Sequence, residues 1–213
     1  MRNQERDEIE MAERRERLLE AGFKLFSTRS IEAVRLQEVA DESGIGIATL
    51  YRYFGNKPDL VIEIGTKKWK EYFKLVEKAF RKAGGDSMSA AGELEFFLDC
   101  FIDLYKSHKA LLRFNRNFDT YVKHEACTAE QMRPYNEAVN AFADKFHKLY
   151  KKTQEDGTLS VRISEKQMFV NTMYIMLSVA GKYAEGLIYP PDEDRDMTEE
   201  LLMLKKMIMD AFR

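Results

Sequence analysis

Cysteine is nearly missing from this chain: two residues, Cys100 and Cys127, in 213. Two thiols cannot build a disulfide-rich secreted scaffold, and their helical or polar surroundings fit a reducing cytoplasm. Histidine is scarce too, with only His108, His124 and His147. None stands with Cys, Asp or Glu at a strong metal spacing. Asp144 and His147 lie three apart on one helix, the usual pattern of a surface contact. The two Glu-x-x-His motifs of a di-iron bundle are absent, as is any Gly-rich phosphate loop. Serine and cysteine nucleophiles have no base nearby in sequence. No uncharged apolar run reaches the length of a membrane span. The opening Met1-Arg2-Asn3-Gln4-Glu5-Arg6 is charged and lacks the apolar segment of a secretory signal. The reading is a cytoplasmic protein that is not an enzyme, with no metal and no cofactor.

What is present is helical and charged. Apolar residues make up 45% and charged residues 33%, with a mean hydropathy of -0.47. Four prolines and eleven glycines leave little room for long linkers. The net charge of -2 does not suit a protein that coats nucleic acid indiscriminately. Basic groups gathered on one face can still bind it. The charges in the first 13 residues are mostly acidic, whereas Arg14, Arg15, Arg17, Lys24, Arg29, Arg35, Arg52 and Lys57 fall close together. A further lysine run, from Lys67 to Lys82, reads as a solvated face.

Helical periodicity runs through almost every segment, and the fold class is all-α. The first helix is expected from about Arg14 to Thr28, preceded by a flexible arm over residues 1–13. Leu18, Leu19, Phe23, Leu25 and Phe26 form its apolar stripe. Leu36 to Ser43 and Ile47 to Phe54 are two short helices. A long fourth helix opens at Pro58, where the missing donor costs nothing, and runs to about Lys82. Gly84-Gly85 then interrupts the chain. Helices follow around Leu94 to Tyr105 and Lys109 to Val122, and from Pro134, which starts or kinks a helix, to Gly157. Ser164 and Gln167 make a capping box for the eighth, which breaks at Pro190-Pro191. Asp196 is expected to cap the ninth. Thr158 to Ile163 alternates, but a lone strand has no partner, so it reads as an extended connector.

The segment Gly44-Ile45-Gly46-Ile47-Ala48-Thr49-Leu50-Tyr51-Arg52-Tyr53-Phe54 carries the functional signal. Helix, glycine turn, short helix is the layout of a helix-turn-helix DNA reader. With Asn56-Lys57 and Leu60 behind it, and Ala21, Phe26, Ala33, Val39 and Ala40 before it, the stretch 14–63 resembles the DNA-binding domain of the TetR family of bacterial transcriptional regulators. The resemblance covers about a quarter of the chain. It implies that Thr49, Tyr51, Tyr53 and Lys57 hold the DNA backbone. It implies that Ile47, Ala48 and Arg52 approach bases, and that Arg35 and Gln37 also reach DNA. Hydroxyls can donate to phosphates, Arg can take a guanine edge, and Ile or Ala can meet a thymine methyl. Three positions depart from the family pattern. Arg35 replaces a capping Ser or Thr, Gly46 replaces a capping Ser, and Ser30 replaces a glycine.

The resemblance further implies a DNA-binding domain over 1–57 and a regulatory and dimerisation domain over 58–213, joined by the helix 58–82. The implied pocket lies among the fourth to eighth helices, and the last two helices make a dimer interface. The candidate pocket residues are Phe97, Phe101, Tyr105, Phe114, Phe118, Tyr121, Phe142, Phe146, Met173 and Met176. Each of these could equally be plain core, but the set suits a small apolar or aromatic effector. The candidate dimer residues are Phe169, Thr172, Met176, Ala180, Tyr183, Leu201, Leu204, Ile208 and Phe212. The expected partners are double-stranded operator DNA, palindromic to match a two-fold homodimer, and the effector. Two alternatives stay open: a small-molecule-binding or enzymatic helical domain with a degenerate reader, and a DNA-organising protein without a ligand.

Overall fold

In the computed structural model, which describes residues 4–186 and 195–213, the first helix opens ten residues before the expected start. This helix, α1, spans Gln4–Phe26. Its acidic opening is a run of good helix formers laced by pairs one turn apart, Arg6 with Glu10 and Glu10 with Arg14. Such pairs contribute about 0.2–0.5 kcal/mol each. Residues 4–13 are therefore helix and not a flexible arm. Then follow α2 (Leu36–Ser43), α3 (Ile47–Phe54), α4 (Lys57–Lys82), α5 (Ala90–Ser107), α6 (Lys109–His124), α7 (Ala129–Glu155), α8 (Glu165–Phe169), α9 (Ile175–Glu185) and α10 (Thr198–Ala211). A π turn, Val170–Tyr174, makes α8 and α9 one continuous helical body. No strand occurs among the described residues, and Thr158 to Ile163 is an irregular connector that bends at Thr158, Leu159 and Ile163. No described helix is long and apolar enough to cross a membrane. The break at Pro190-Pro191 lies outside the described residues.

Packing gathers the chain into two units. The first holds Met1–Trp69 and Arg113–Glu137; the second holds Lys70–Leu112 and Ala138–Arg213. Three helices, α4, α6 and α7, thus contribute residues to both.

In the first unit Leu18, Phe26, Val34, Val39, Leu50, Leu60 and Ile64 are fully buried. Burying each such side chain is worth about 1.5–3 kcal/mol. Gly22 lets α1 and α4 approach, since a Cβ there would lie 2.6 Å from Ile64 Cδ1. A polar knot joins α4, α6 and α7: Asn115 Oδ1 accepts from Trp69 Nε1 at 3.1 Å and from the Tyr135 hydroxyl at 3.2 Å. Pro134 lies inside α7 and does not start it. The start is set by Thr128 and Gln131, whose side chains and amides bond reciprocally at 3.0 and 3.2 Å.

In the second unit α5 is central, with Leu94, Phe97, Leu98, Leu104 and Tyr105 buried. Phe80 stacks on Phe97 and Phe73 on Phe142, each at 5.6 Å between ring centres. Lys205 of α10 bonds Asp99 at 2.6 Å and Glu95 at 3.0 Å, both on α5. The capping box of Ser164 and Gln167 opens α8 as the sequence implies. The cap of α10 is Met197, with no side-chain bond, in place of Asp196. Asp196 sits one residue earlier and accepts from the Thr198 amide at 3.2 Å.

Candidate nucleic-acid interface

The reader begins with how α2 ends. Gly44 takes a left-handed conformation, φ 67° and ψ 30°. Its amide bonds Asp41 O and the next amide, of Ile45, bonds Ala40 O at 3.0 Å. This is the Schellman closure, which satisfies carbonyls that the helix leaves open. Arg17 of α1 donates to Ser43 O, so the turn is also held from outside. A Cβ on Gly44 would meet Arg17 Nη2 at 2.9 Å. Gly46 then caps α3 through its backbone alone, its carbonyl accepting from Thr49 N at 2.9 Å.

The eight residues of α3 bury Leu50 and Phe54. That burial turns Ala48, Tyr51 and Arg52 outward on one face, with Tyr51 50% exposed. Ile47, Thr49 and Tyr53 flank the face and are half-buried. The Tyr53 hydroxyl is buried without a hydrogen-bond partner among the described residues. At the start of α2, Arg35 and Gln37 are exposed. Arg35 donates its amide to Glu38 Oε1 at 2.8 Å. That is half of a capping box, because a guanidinium has no acceptor with which to return the bond. The hydrogen bond from Arg29, then the Arg35 amide, hold the Glu38 carboxyl below the usual range. Gln37 is tied to Asp41 at 2.8 Å.

The basic residues gathered in the sequence divide sharply. Arg14 pairs with Glu10, Arg15 with Glu63, Lys24 with Glu42 and Arg29 with Glu38. Arg15 also lies over the Phe54 ring at 4.5 Å and donates to Tyr53 O, which holds the end of α3. Lys57 is half-buried; its ammonium reaches Glu32 O at 3.3 Å and lies 5.6 Å from the centre of the Tyr121 ring. Burial pushes its pKa down. Arg35 and Arg52 have no carboxylate ion-pair partner among the described residues. Arg52 rests over Tyr53 at 5.5 Å. Sequence reasoning saw a basic cluster; it missed the structural use of Arg15 and Arg17. The cue for Arg17 was Gly44, whose flanking carbonyls need donors. Asn56, also missed, caps α4 by accepting from Asp59 N at 2.9 Å.

The candidate effector residues are distributed over both units. Phe114, Phe118 and Tyr121 belong to the first, the other seven to the second. Within the second, Phe142 meets Phe97 and Phe101 edge-on at 5.6 and 6.5 Å. Tyr105 faces Tyr183 and accepts from Met197 N at 3.0 Å. Met173 and Met176 are buried. A groove of about 370 Å³ is lined by Ala143, Phe146, Glu165, Lys166 and Phe169.

The candidate dimer residues turn mostly inward. Thr172, Met176, Ala180, Leu201, Ile208 and Phe212 are buried within their own unit, and Phe169, Tyr183 and Leu204 are half-buried. The exposed apolar residues are different ones: Val170, Tyr174 and Ile175 around the π turn, and Leu202, Met203 and Met207 on α10.

Comparison with known proteins bears on both units. Residues 18–64 match the family described as bacterial regulatory proteins, tetR family. An HTH-type transcriptional regulator of Staphylococcus aureus (strain MRSA252) is 33% identical over 104 residues, 47% of this chain and 52% of that protein. The chain thus spans about half the length of the curated relatives it matches. Among solved structures, the fatty acid degradation regulator FadR of Bacillus halodurans superposes with a TM-score of 0.70 at 14% identity, over 92% of this chain and 94% of that one. FadR of Bacillus subtilis, solved in complex with stearoyl-CoA, gives 0.70 at 13% identity over 92% and 98%. At such identities the likeness is one of fold.

Proposed function

We propose that this chain, which belongs to the TetR family of bacterial transcriptional regulators, is a cytoplasmic repressor that binds a palindromic operator as a homodimer and is released by a small apolar or aromatic effector. The observation that carries the reading is the outward face of α3. Ala48, Tyr51 and Arg52 project from a helix fixed by Gly44, Arg17 and Arg15. Arg35, at the cap of α2, and Arg52 of α3 are exposed and have no carboxylate ion-pair partner among the described residues.

On this reading Arg52 takes a guanine edge, while Ile47 and Ala48 meet thymine methyls. Thr49 and Tyr51 hold phosphates, as do Arg35 and Gln37; the Tyr53 hydroxyl, buried without a partner among the described residues, reaches a phosphate only once it is uncovered. Lys57 reaches a phosphate only by leaving the Glu32 carbonyl. A second copy covers the exposed row of Val170, Tyr174, Leu202, Met203 and Met207, an isologous contact. It sets two α3 helices about 34–36 Å apart, one turn of the duplex. The effector binds the second unit among the aromatic rings. It must bind the two reader spacings with different free energies, or it shifts nothing.

Arg52→Ala and Arg35→Ala separate the two kinds of contact. In fluorescence anisotropy on operator variants, Arg52→Ala should lose about 1–3 kcal/mol and relax preference at one base position. Arg35→Ala should weaken all sequences alike and reduce the salt slope by about one. Equal, sequence-independent losses for both would remove the base-reading role of Arg52.

A further inference from the structure

A helix leaves its last carbonyls without partners. At the end of α1 the carbonyls of Phe23, Lys24 and Leu25 are met by donors just beyond the helix, and the last, of Phe26, is taken by another helix. Asn117 of α6 donates through Nδ2 to Phe26 O at 2.8 Å and Arg29 O at 3.0 Å. One turn earlier on the same face of α6, Arg113 Nε donates to Ser27 O at 3.3 Å. One turn later Tyr121 lies beneath the ammonium of Lys57, which itself reaches Glu32 O. Residues at i, i+4 and i+8 share one helix face. The backbone groups in these contacts, Phe26 O, Ser27 O, Arg29 O and, through Lys57, Glu32 O, lie in the segment that delivers the chain to α2.

We infer that the Arg113–Asn117–Tyr121 face of α6 positions the DNA reader, and that Asn117 is its central positioning residue. The inference rests on the operator-binding reading above and names the part of the chain that fixes the reader for it. Apolar packing tolerates small slides, whereas an amide shared between two carbonyls demands both distance and angle. The reader's apolar core already closes α1, α2 and α3 on one another, so these donors are not needed to fill it. They fix the reader to α6 within the first unit.

The test is discrimination of operator spacing. Wild-type dimer is titrated against its selected palindrome and against the same palindrome with one or two base pairs inserted at the centre. Wild type should bind the altered sites more weakly. Asn117→Ala, and Asn117→Asp, which keeps the shape but removes both donors, should lower that discrimination by about fivefold or more, within the usual range of coupling between sites. Tyr51→Ala is the contrast: it should weaken every site and leave the ratio unchanged. Circular dichroism and melting confirm that each variant is folded, and Asn117→Ser stands in if the Asp variant is not. Folded Asn117 variants that keep the wild-type ratio, or a wild type indifferent to spacing, overturn the inference. A wild type that selects no palindrome overturns the operator reading instead.

Discussion

Leu50 and Tyr51 are neighbours on α3 with opposite tasks. Leu50 is fully buried in the reader core, and Tyr51 is half exposed. Truncating a buried Leu costs about 2–5 kcal/mol, the lost transfer energy plus the cavity. Truncating an exposed residue away from caps and networks usually changes stability by no more than about 0.5 kcal/mol. Leu50→Ala should therefore lower the denaturation midpoint clearly, while Tyr51→Ala should leave it in place and weaken operator binding. Urea titrations of both variants check this. A Tyr51→Ala loss as large as that of Leu50→Ala would make Tyr51 a core residue. The sequence showed these roles because α3 is only eight residues long, and two apolar positions four apart define its inner face. It could not show that Tyr53 is half-buried with a hydroxyl that has no hydrogen-bond partner among the described residues, since that depends on packing and not on local period.

At the scale of elements, the legible features were those with local causes. The Schellman glycine of α2 and the capping box of α8 each need only residues within a few positions. The start of α1 was missed because a polar, charged run reads as an arm until its pairs one turn apart are counted. The side of α9 and α10 that is left exposed was not legible for a different reason. Both α9 and α10 carry apolar residues on two sides, and period alone does not say which side faces the core. The π turn compounds this. Met168, Thr172, Met176, Ala180 and Ala184 are buried at steps of four. In a pure α-helix such steps drift by about 40° each. A π turn takes more residues per turn, and with Thr172 Oγ1 bonding Met168 O at 2.7 Å it offsets the drift between Met168 and Met176. Val170 and Tyr174 are thereby left outside. Met203→Lys with Met207→Lys, at sites 67% and 63% exposed, should convert a dimer to folded monomer in analytical ultracentrifugation. Ile208→Lys, on the buried side, should unfold the chain. A double variant that stays dimeric would move the interface elsewhere.

For the whole molecule, the charge balance limits how the proposed reader could hold DNA. The net charge is -2, and the reader's cations are largely spent on its own architecture: Arg15 on Glu63, Lys24 on Glu42, Arg29 on Glu38. Nonspecific attraction to phosphate is correspondingly small, so recognition must come from few, well-placed contacts. The division into two units was only partly legible. The glycine pair at 84–85 is a break in local structure, whereas α4, α6 and α7 each give residues to both units, which composition cannot reveal. That division gives the reader its ties to α6. The central claim is that α3 reads one palindrome. It is tested most directly by incubating the purified protein with sheared genomic DNA, recovering the bound fragments and sequencing them, with Tyr51→Ala in parallel. Enrichment of a single palindromic sequence by the wild type alone is the predicted result. Equal recovery of all fragments by both proteins would contradict it.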